Sequence, residues 1–320
     1  MRAGIGQTRP SNERVEDGER CTLPRMRGCI LAVILLFPAI LHAQDPIRTA
    51  DISLRGLKAA DFPRVTKLAE NVYAYEQIDP TKRTVTVNNL IVITSGGVLI
   101  AESQGTADNV QRLVAEVAKL TPQPIKYVVV GSEHGDHTGG IAAFPAGVVY
   151  LAHPFSAPRI KQPTEPVNDR RAIVLGGTEI DVLFLGRAHT GGDLEVYLPK
   201  EKILFMSEVF SNRIFPSMAN GYPTEWVQAL RKAEQMDVGY FVPAHGFVDS
   251  AAVMREEERN YRLALERIIT EGTRLHSNGT SIENATAAAR FEPYDGWTRA
   301  ANNASAALKR VYMELDGQLK

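Results

Sequence analysis

Cysteine is nearly absent. The 320 residues hold only Cys21 and Cys29, both within the first thirty positions. A chain body without thiols can build neither a disulfide framework nor a Cys-ligated metal site. An excess of one charge sign is missing as well: Lys plus Arg number 36 against 37 Asp plus Glu, a formal net charge of -1. That balance argues against nucleic-acid binding through a basic face. With 44% hydrophobic and 23% charged residues, the chain is not disordered, collagen-like or a multi-span membrane protein.

One apolar run stands out. Residues 1–25 are polar and aperiodic, and read as a dispensable or misassigned extension. Met26-Arg27-Gly28 then precedes Cys29 to Leu41, 13 apolar residues interrupted by Pro38, and His42-Ala43 follows. The run is short for a membrane span. A basic start, an apolar stretch and a small residue at its end form a secretory signal over 26–43. An exported chain, periplasmic or secreted, is expected, with no stable membrane insertion after signal cleavage. Residues 44–66 read as a lead-in, 67–248 as the main domain, and 249–320 as C-terminal helices packed on that domain.

The main domain alternates strands and helices. Strands are expected at Val72–Tyr75, Thr84–Val87, Leu90–Ile93, Val98–Ile100, Tyr127–Val130 and Val148–Leu151. Between them, Val110, Leu113, Val114, Val117 and Leu120 give a helix an apolar face, with Thr106 as its N-cap. The second half repeats the theme with Ala172–Leu175, Ile180–Leu185, Leu194–Leu198, Ile203–Met206 and Tyr240–Val242. A helix over Pro223–Met236 has Thr224 as its cap, with Trp226 in its core face. Helices to about Leu275, over Ile282–Arg290 and over Arg299–Leu315 close the chain. Two comparable halves predict a layered α/β protein.

Six of the seven histidines lie beyond residue 43. Four follow apolar runs in Gly-rich or turn-like settings: His134 and His137 in Gly131-Ser-Glu-His-Gly-Asp-His-Thr-Gly-Gly140, His189 in His189-Thr-Gly-Gly-Asp193, and His245 in Pro243-Ala-His-Gly246. Imidazole and carboxylate are zinc ligands, and strand ends hold such groups in fixed directions. Four unrelated histidines would be the plain alternative. His153 reads as an ordinary loop residue, and His276 as a cation at a helix C-terminus.

In these segments the chain resembles the metallo-β-lactamase superfamily, over roughly Leu68 to Gly246. The resemblance implies an α/β, four-layer αβ/βα metallo-β-lactamase sandwich with a C-terminal helical extension, and metals at one edge. His134, Asp136 and His137 match the last three ligands of its HxHxDH motif, His189 the middle histidine and His245 the last. Glu208 stands where the family has a bridging Asp, Glu102 where another Asp lies beneath the site, and Ser132 where the first His belongs. Thr190 and Asp193 are expected to orient the His189 turn. By resemblance, the segment Asn212 to Tyr222, with Asn212, Asn220 and Tyr222, would form a substrate rim.

The expected cofactor is Zn2+, one or two per chain. His134 and His189 remain for the first metal, with Asp136, His137 and His245 for the second. Ser132 leaves a gap, and Glu102 or Glu208, each one methylene longer than Asp, is a candidate to reach into it. Glu208 has a rival fate as a surface partner of Arg213. The implied activity is hydrolysis of an ester, thioester, lactone or amide of a small-molecule substrate, with Asp136 holding the nucleophile. A β-lactamase proper and a non-catalytic zinc- or ligand-binding protein are the alternatives.

Overall fold

Strict alternation of side chains builds the layers. In the computed structural model, which describes residues 47–319, β1 (Arg64–Ala69), β2 (Val72–Ile78), β3 (Thr86–Thr94), β4 (Gly97–Ala101), β5 (Ile125–Val130), β6 (Val149–Ala152) and β7 (Thr164–Pro166) form one sheet in chain order. Its first four strands are antiparallel, and β4 to β7 run parallel. A second sheet has the order β12-β11-β10-β9-β8, from β8 (Arg170–Leu175), β9 (Thr178–Leu183), β10 (Glu195–Leu198), β11 (Ile203–Phe205) and β12 (Tyr240–Val242).

Leu90, Val92, Leu99, Ala101, Val129 and Leu151 face the second sheet and pack with Ile180, Val182, Val196 and Phe205. Their neighbours Ile91, Val98, Ile100, Val128 and Val130 point the other way, onto Val110, Leu113 and Val117 of α1 (Ala107–Leu120). On the far side of the second sheet, Leu204 and Phe241 pack with α3 (Pro223–Gln235), α4 (Ala251–Ser277) and α6 (Ala300–Leu315). Helix, sheet, sheet and helices make the four-layer αβ/βα sandwich. Phe205 is fully buried at its centre, where truncation to Ala would cost about 3–5 kcal/mol. From Pro46 onward the chain is one compact unit. The short α2 (Gly135–Thr138) and α5 (Ile282–Ala288) complete the α-helices among the described residues.

The expected extension and signal over residues 1–43 lie outside the described residues. Other sequence expectations need correction. Part of the lead-in belongs to the sheet, because β1 begins at Arg64. Thr224 does not cap α3: Tyr222 is the N-cap, Pro223 opens the helix, and the Thr224 hydroxyl bonds Glu314 Oε2 at 2.8 Å. The strands expected at Thr84–Val87 and Leu90–Ile93 are the single β3, running through Asn88-Asn89.

Those asparagines stay in the strand because both side chains are buried and bonded. Asn88 Nδ2 donates to Pro243 O at 3.1 Å and Gly246 O at 2.7 Å, and its backbone N–H donates to Ala244 O. Asn89 Nδ2 reaches the carbonyls of Ala101, Glu102 and Ser103. Asn88 thereby stitches the first sheet to the loop after β12, and Asn89 gathers the loop after β4. Parallel neighbours end on one side, so the loops after β4 and β5 leave the first sheet together, as those after β11 and β12 leave the second. Replacing Asn88 by Ala leaves the buried Pro243 carbonyl without its side-chain donor, while Gly246 O keeps only the Thr86 hydroxyl at 2.8 Å. A loss of about 1–3 kcal/mol is expected, read as a lower urea midpoint at unchanged slope.

Candidate metal centre

The loop after β5 carries Ser132, His134, Asp136 and His137, the last two within α2. Glu102 follows β4, Glu208 follows β11, His245 follows β12, and His189 lies between β9 and β10. These loops meet, and two groups of side chains there could hold a metal ion: Asp136, His137, Glu208 and His245, and separately His134, His189 and Glu208. Glu208 belongs to both.

In the first group, His137 Nε2 lies 3.1 Å from His245 Nε2, 3.8 Å from Asp136 Oδ2 and 3.5 Å from Glu208 Oε1. His245 Nε2 lies 3.5 Å from Asp136 Oδ2 and 3.3 Å from Glu208 Oε1. A tetrahedral ion with ligands at 2.0–2.2 Å requires donor separations of about 3.3–3.6 Å. The five distances bracket that value.

Tautomers make the fit sharper. His245 Nδ1 donates to Thr86 O at 2.7 Å, and His137 Nδ1 lies 2.9 Å from Glu102 Oε2, both fully buried. With each Nδ1 held by an oxygen acceptor, both rings turn Nε2 toward the centre, where the two atoms face each other at 3.1 Å. A cation between them would be held by both. The donors fit a metal.

The second group is smaller. His134 Nδ1 lies 2.8 Å from Glu208 Oε2 and 3.1 Å from His189 Nε2, which is 3.2 Å from Glu208 Oε1. Ser132, fully buried, donates from Oγ to Glu208 Oε2 at 2.5 Å. The carboxylate of Glu208 therefore stands against the serine. Arg213, its rival partner, is taken by Glu257 at 2.5 and 2.7 Å. Glu102 does not enter the gap. Its Oε1 accepts from Ser207 Oγ at 2.7 Å while Oε2 pairs with His137, so it orients a ring from behind.

Electrostatics follow from the crowding. Burial pushes the Glu208 carboxyl up, but His189, His137 and His134 hold it well below the usual carboxylate range. Burial also opposes the charge on His137, yet Glu102, Glu208 and Asp136 keep its proton affinity well above normal. Asp136 is held low against its burial by His137, His245 and Lys82. Asp193, enclosed behind His189, is pushed up to about 6 by burial. Its two oxygens accept from the Thr190 N–H at 2.6 Å and hydroxyl at 2.8 Å, which fixes the turn carrying His189. Trp226 is core, donating from Nε1 to Val209 O, and its ring meets His189 edge-on at 5.2 Å. His153 stacks on Phe184 at 4.2 Å, away from the donors.

Comparison with known proteins agrees with this geometry. The family model of the metallo-beta-lactamase superfamily matches residues 90–245. The chain belongs to that superfamily. It is 24% identical over 234 residues to a metallo-beta-lactamase type 2 of Bacteroides fragilis, covering 69% of this chain and 90% of that protein. A metallo-beta-lactamase type 2 from Bacillus sp. (strain 170) is 22% identical over 202 residues, with coverages of 59% and 79%. Among solved structures, a metallo-beta-lactamase from Pontibacter korlensis superposes with TM-score 0.57 at 22% identity, covering 63% of this chain and 99% of that one. A stereoselective inverting sec-alkylsulfatase from Pseudomonas sp. gives TM-score 0.65 at 14% identity over 79% of this chain and 50% of its own.

On this superfamily scaffold the donors open into a cavity of about 330 Å³. Ile214 and Ser217 of its lining fall in the 212–222 segment expected as a rim, whereas the sequence reading missed Lys82, Tyr261, Arg299 and Asn303. They come from segments far apart in the chain, none of which carries a motif. Lys82 donates to Asp136 Oδ2 and lies 3.1 Å from Asp79 Oδ2. The three named rim residues, Asn212, Asn220 and Tyr222, are not among the lining groups. Asn212 is buried and donates to Phe247 O at 2.7 Å. Tyr222 is buried with the guanidinium groups of Arg187 and Arg310 over its ring, at 4.0 and 5.4 Å. Asn220 is exposed and brings Nδ2 to 3.5 Å from His134 Nε2.

With Glu208 against Ser132, an imidazole at 132 has no room. Ser132→His is expected to lower metal retention and cost about 1–3 kcal/mol through overpacking, measured by elemental analysis and thermal unfolding. Metal content that rises at unchanged stability would show that the carboxylate moves aside. Gly131→Ala is expected to act on the other acid. A Cβ there would overlap Glu102 Oε1 and lie 2.5 Å from Ser207 Oγ. His137 then loses its orienting partner, which typically costs 10–100-fold in metal affinity; titration with a chromophoric chelator reads it.

Proposed function

We propose that the protein is an exported zinc-dependent hydrolase, periplasmic or secreted, that cleaves an ester, thioester, lactone or amide. The observation that carries the reading is the convergence of Asp136, His137, His245 and Glu208 at tetrahedral separations, with the Nε2 atoms of both rings turned toward the centre. Nitrogen and carboxylate donors without sulfur suit zinc among the metals with tetrahedral preference. Asp136, His137, His245 and Glu208 would hold one ion; His134, His189 and the shared Glu208 would hold a second. When bound, such an ion supplies Lewis acidity and a hydroxide nucleophile at neutral pH.

The chain's own groups set the stage for attack. Asp136 Oδ2 points into the donor cluster and is kept ionised beside the Lys82 ammonium. It is thereby ready to accept a hydrogen bond from the attacking water and fix its direction. Glu102 and the Thr86 carbonyl keep His137 and His245 from turning. Lys82, itself held in its charged form by Asp136 and Asp79 despite burial, faces the cavity as a donor for developing negative charge.

A β-lactam substrate is the second reading, favoured by the names of the relatives that align over 79–90% of their lengths. A panel of ester, thioester, lactone and cephalosporin substrates, assayed with zinc and after chelation, separates the readings. Zinc-dependent turnover of one class is expected. No turnover of any class by metal-loaded protein would leave a ligand-binding protein instead, the outcome that the serine at 132 anticipates. Asp136→Ala, His137→Ala and His245→Ala should each lose at least one zinc per chain by elemental analysis. Unchanged metal in all three would place the site elsewhere. Detection of the chain in the periplasmic or culture fraction tests export.

A further inference from the structure

The lining of the metal cavity includes two basic side chains, and they are not equivalent. Lys82 is committed to Asp136 and Asp79. Arg299 is half-buried, lines the same cavity, and pairs with no carboxylate among the described residues. Nearby arginines contrast with it: Arg213 is spent on Glu257, and Arg310 donates to the carbonyls of Gly221 and Asn220.

The backbone holds Arg299 firmly. It takes φ 66° and ψ 14° as the N-cap of α6. On one side Thr298 is bonded in both directions to the 213–215 segment, its N–H to Arg213 O at 3.2 Å and its carbonyl accepting from Phe215 N at 3.0 Å. On the other, the Arg299 carbonyl accepts from the N–H groups of Asn302 and Asn303, both at 3.0 Å. Asn303, itself in the lining, donates from Nδ2 to Phe215 O at 2.7 Å. The base of the guanidinium arm is thus fixed relative to the cavity wall.

We infer that Arg299 anchors an oxyanion of the substrate, remote from the bond that is cleaved. The inference rests on reading the cavity as the hydrolytic site, and it narrows the substrate class to molecules carrying a second, anionic group such as a carboxylate. The carboxylates in the lining, Asp136 and Glu208, are both turned to histidines or Lys82, so neither is available to Arg299. A guanidinium binds carboxylate through parallel N–H···O bonds, and an unpartnered one in a cavity of about 330 Å³ faces whatever ligand enters. The anchor comes from the C-terminal helical region, so that region would set specificity while the loops of the two sheets supply the chemistry.

The test uses the zinc-loaded full chain and two esters, 4-nitrophenyl acetate and 4-nitrophenyl hemiglutarate, which differ by a terminal carboxylate. Wild type is expected to show a lower KM for the hemiglutarate, with the preference shrinking as salt is raised. In Arg299→Gln the KM ratio of the two esters should fall about ten- to a hundredfold, with kcat for the hemiglutarate moving less than its KM. Arg299→Lys should keep part of the preference. An unaltered ratio in Arg299→Gln would overturn the anchor. Calorimetric titration with glutarate needs no turnover and separates this inference from the hydrolase reading. Affinity that drops about tenfold in Arg299→Gln supports the anchor even where neither ester is cleaved. Equal affinity in both proteins rejects it whatever the turnover.

Discussion

The Glu208 carboxylate is buried where the ends of two sheets meet, in contact with Ser132, His134, His137, His189 and His245. An ionised carboxylate out of water costs several kcal/mol unless its lone pairs are met. Here the second sheet supplies the acid, and the first sheet supplies Ser132, His134 and His137 to meet it. The two halves are therefore tied at the site as well as through their apolar faces. The tie is polar and directional, whereas the core between the sheets is apolar and could tolerate small slips. Both groups of donors depend on that one side chain, so a shift of the sheets at this end would separate them together.

Strain gathers at the same place. Glu102 has φ 70° and Ser207 φ 46°, conformations that typically cost a non-glycine residue about 1–3 kcal/mol. The two are joined by the 2.7 Å hydrogen bond from Ser207 Oγ to Glu102 Oε1. Asn89 holds the backbone on either side of Glu102 from within β3. Glu102, braced this way by Ser207 and Asn89, leaves His137 little rotational freedom, which is what a metal-ligating imidazole needs. Stability given up in two residues is recovered as preorganisation of the donors.

Much of this architecture was legible in the sequence. The α1 face of Val110, Leu113 and Val117 and the short apolar strands report their period directly, because each is half-buried or fully buried between layers. The histidine-bearing turns were legible because they sit directly after such strands. β3 was not read as one strand, since Asn88-Asn89 looks like a turn unless the carbonyls it satisfies are known. The choice between Glu102 and Glu208 for the space beside Ser132 was also hidden: both acids follow strands, and only the packing of the sheets decides which one points where. Lys82 and Arg299 carried no local signal, because their significance is their convergence on a cavity from positions 217 residues apart.

The chain departs from the motif it resembles at three places that occupy one small volume. Where the pattern has a large imidazole, residue 132 is a serine, and the glutamate at 208 lies against it. Residue 131 has no side chain, and the space that a Cβ would need is filled by Glu102 Oε1 and Ser207. The consecutive small residues Gly131-Ser132 thus make room for two acids, each one methylene longer than aspartate. Restoring the imidazole alone would collide with one acid, and shortening the acids alone would leave voids and a bare His137 Nδ1. The changes make physical sense as an exchange of volume between β5's end and its neighbours. An exchange of that kind keeps an acid at position 208 and gives up the nitrogen donor of position 132.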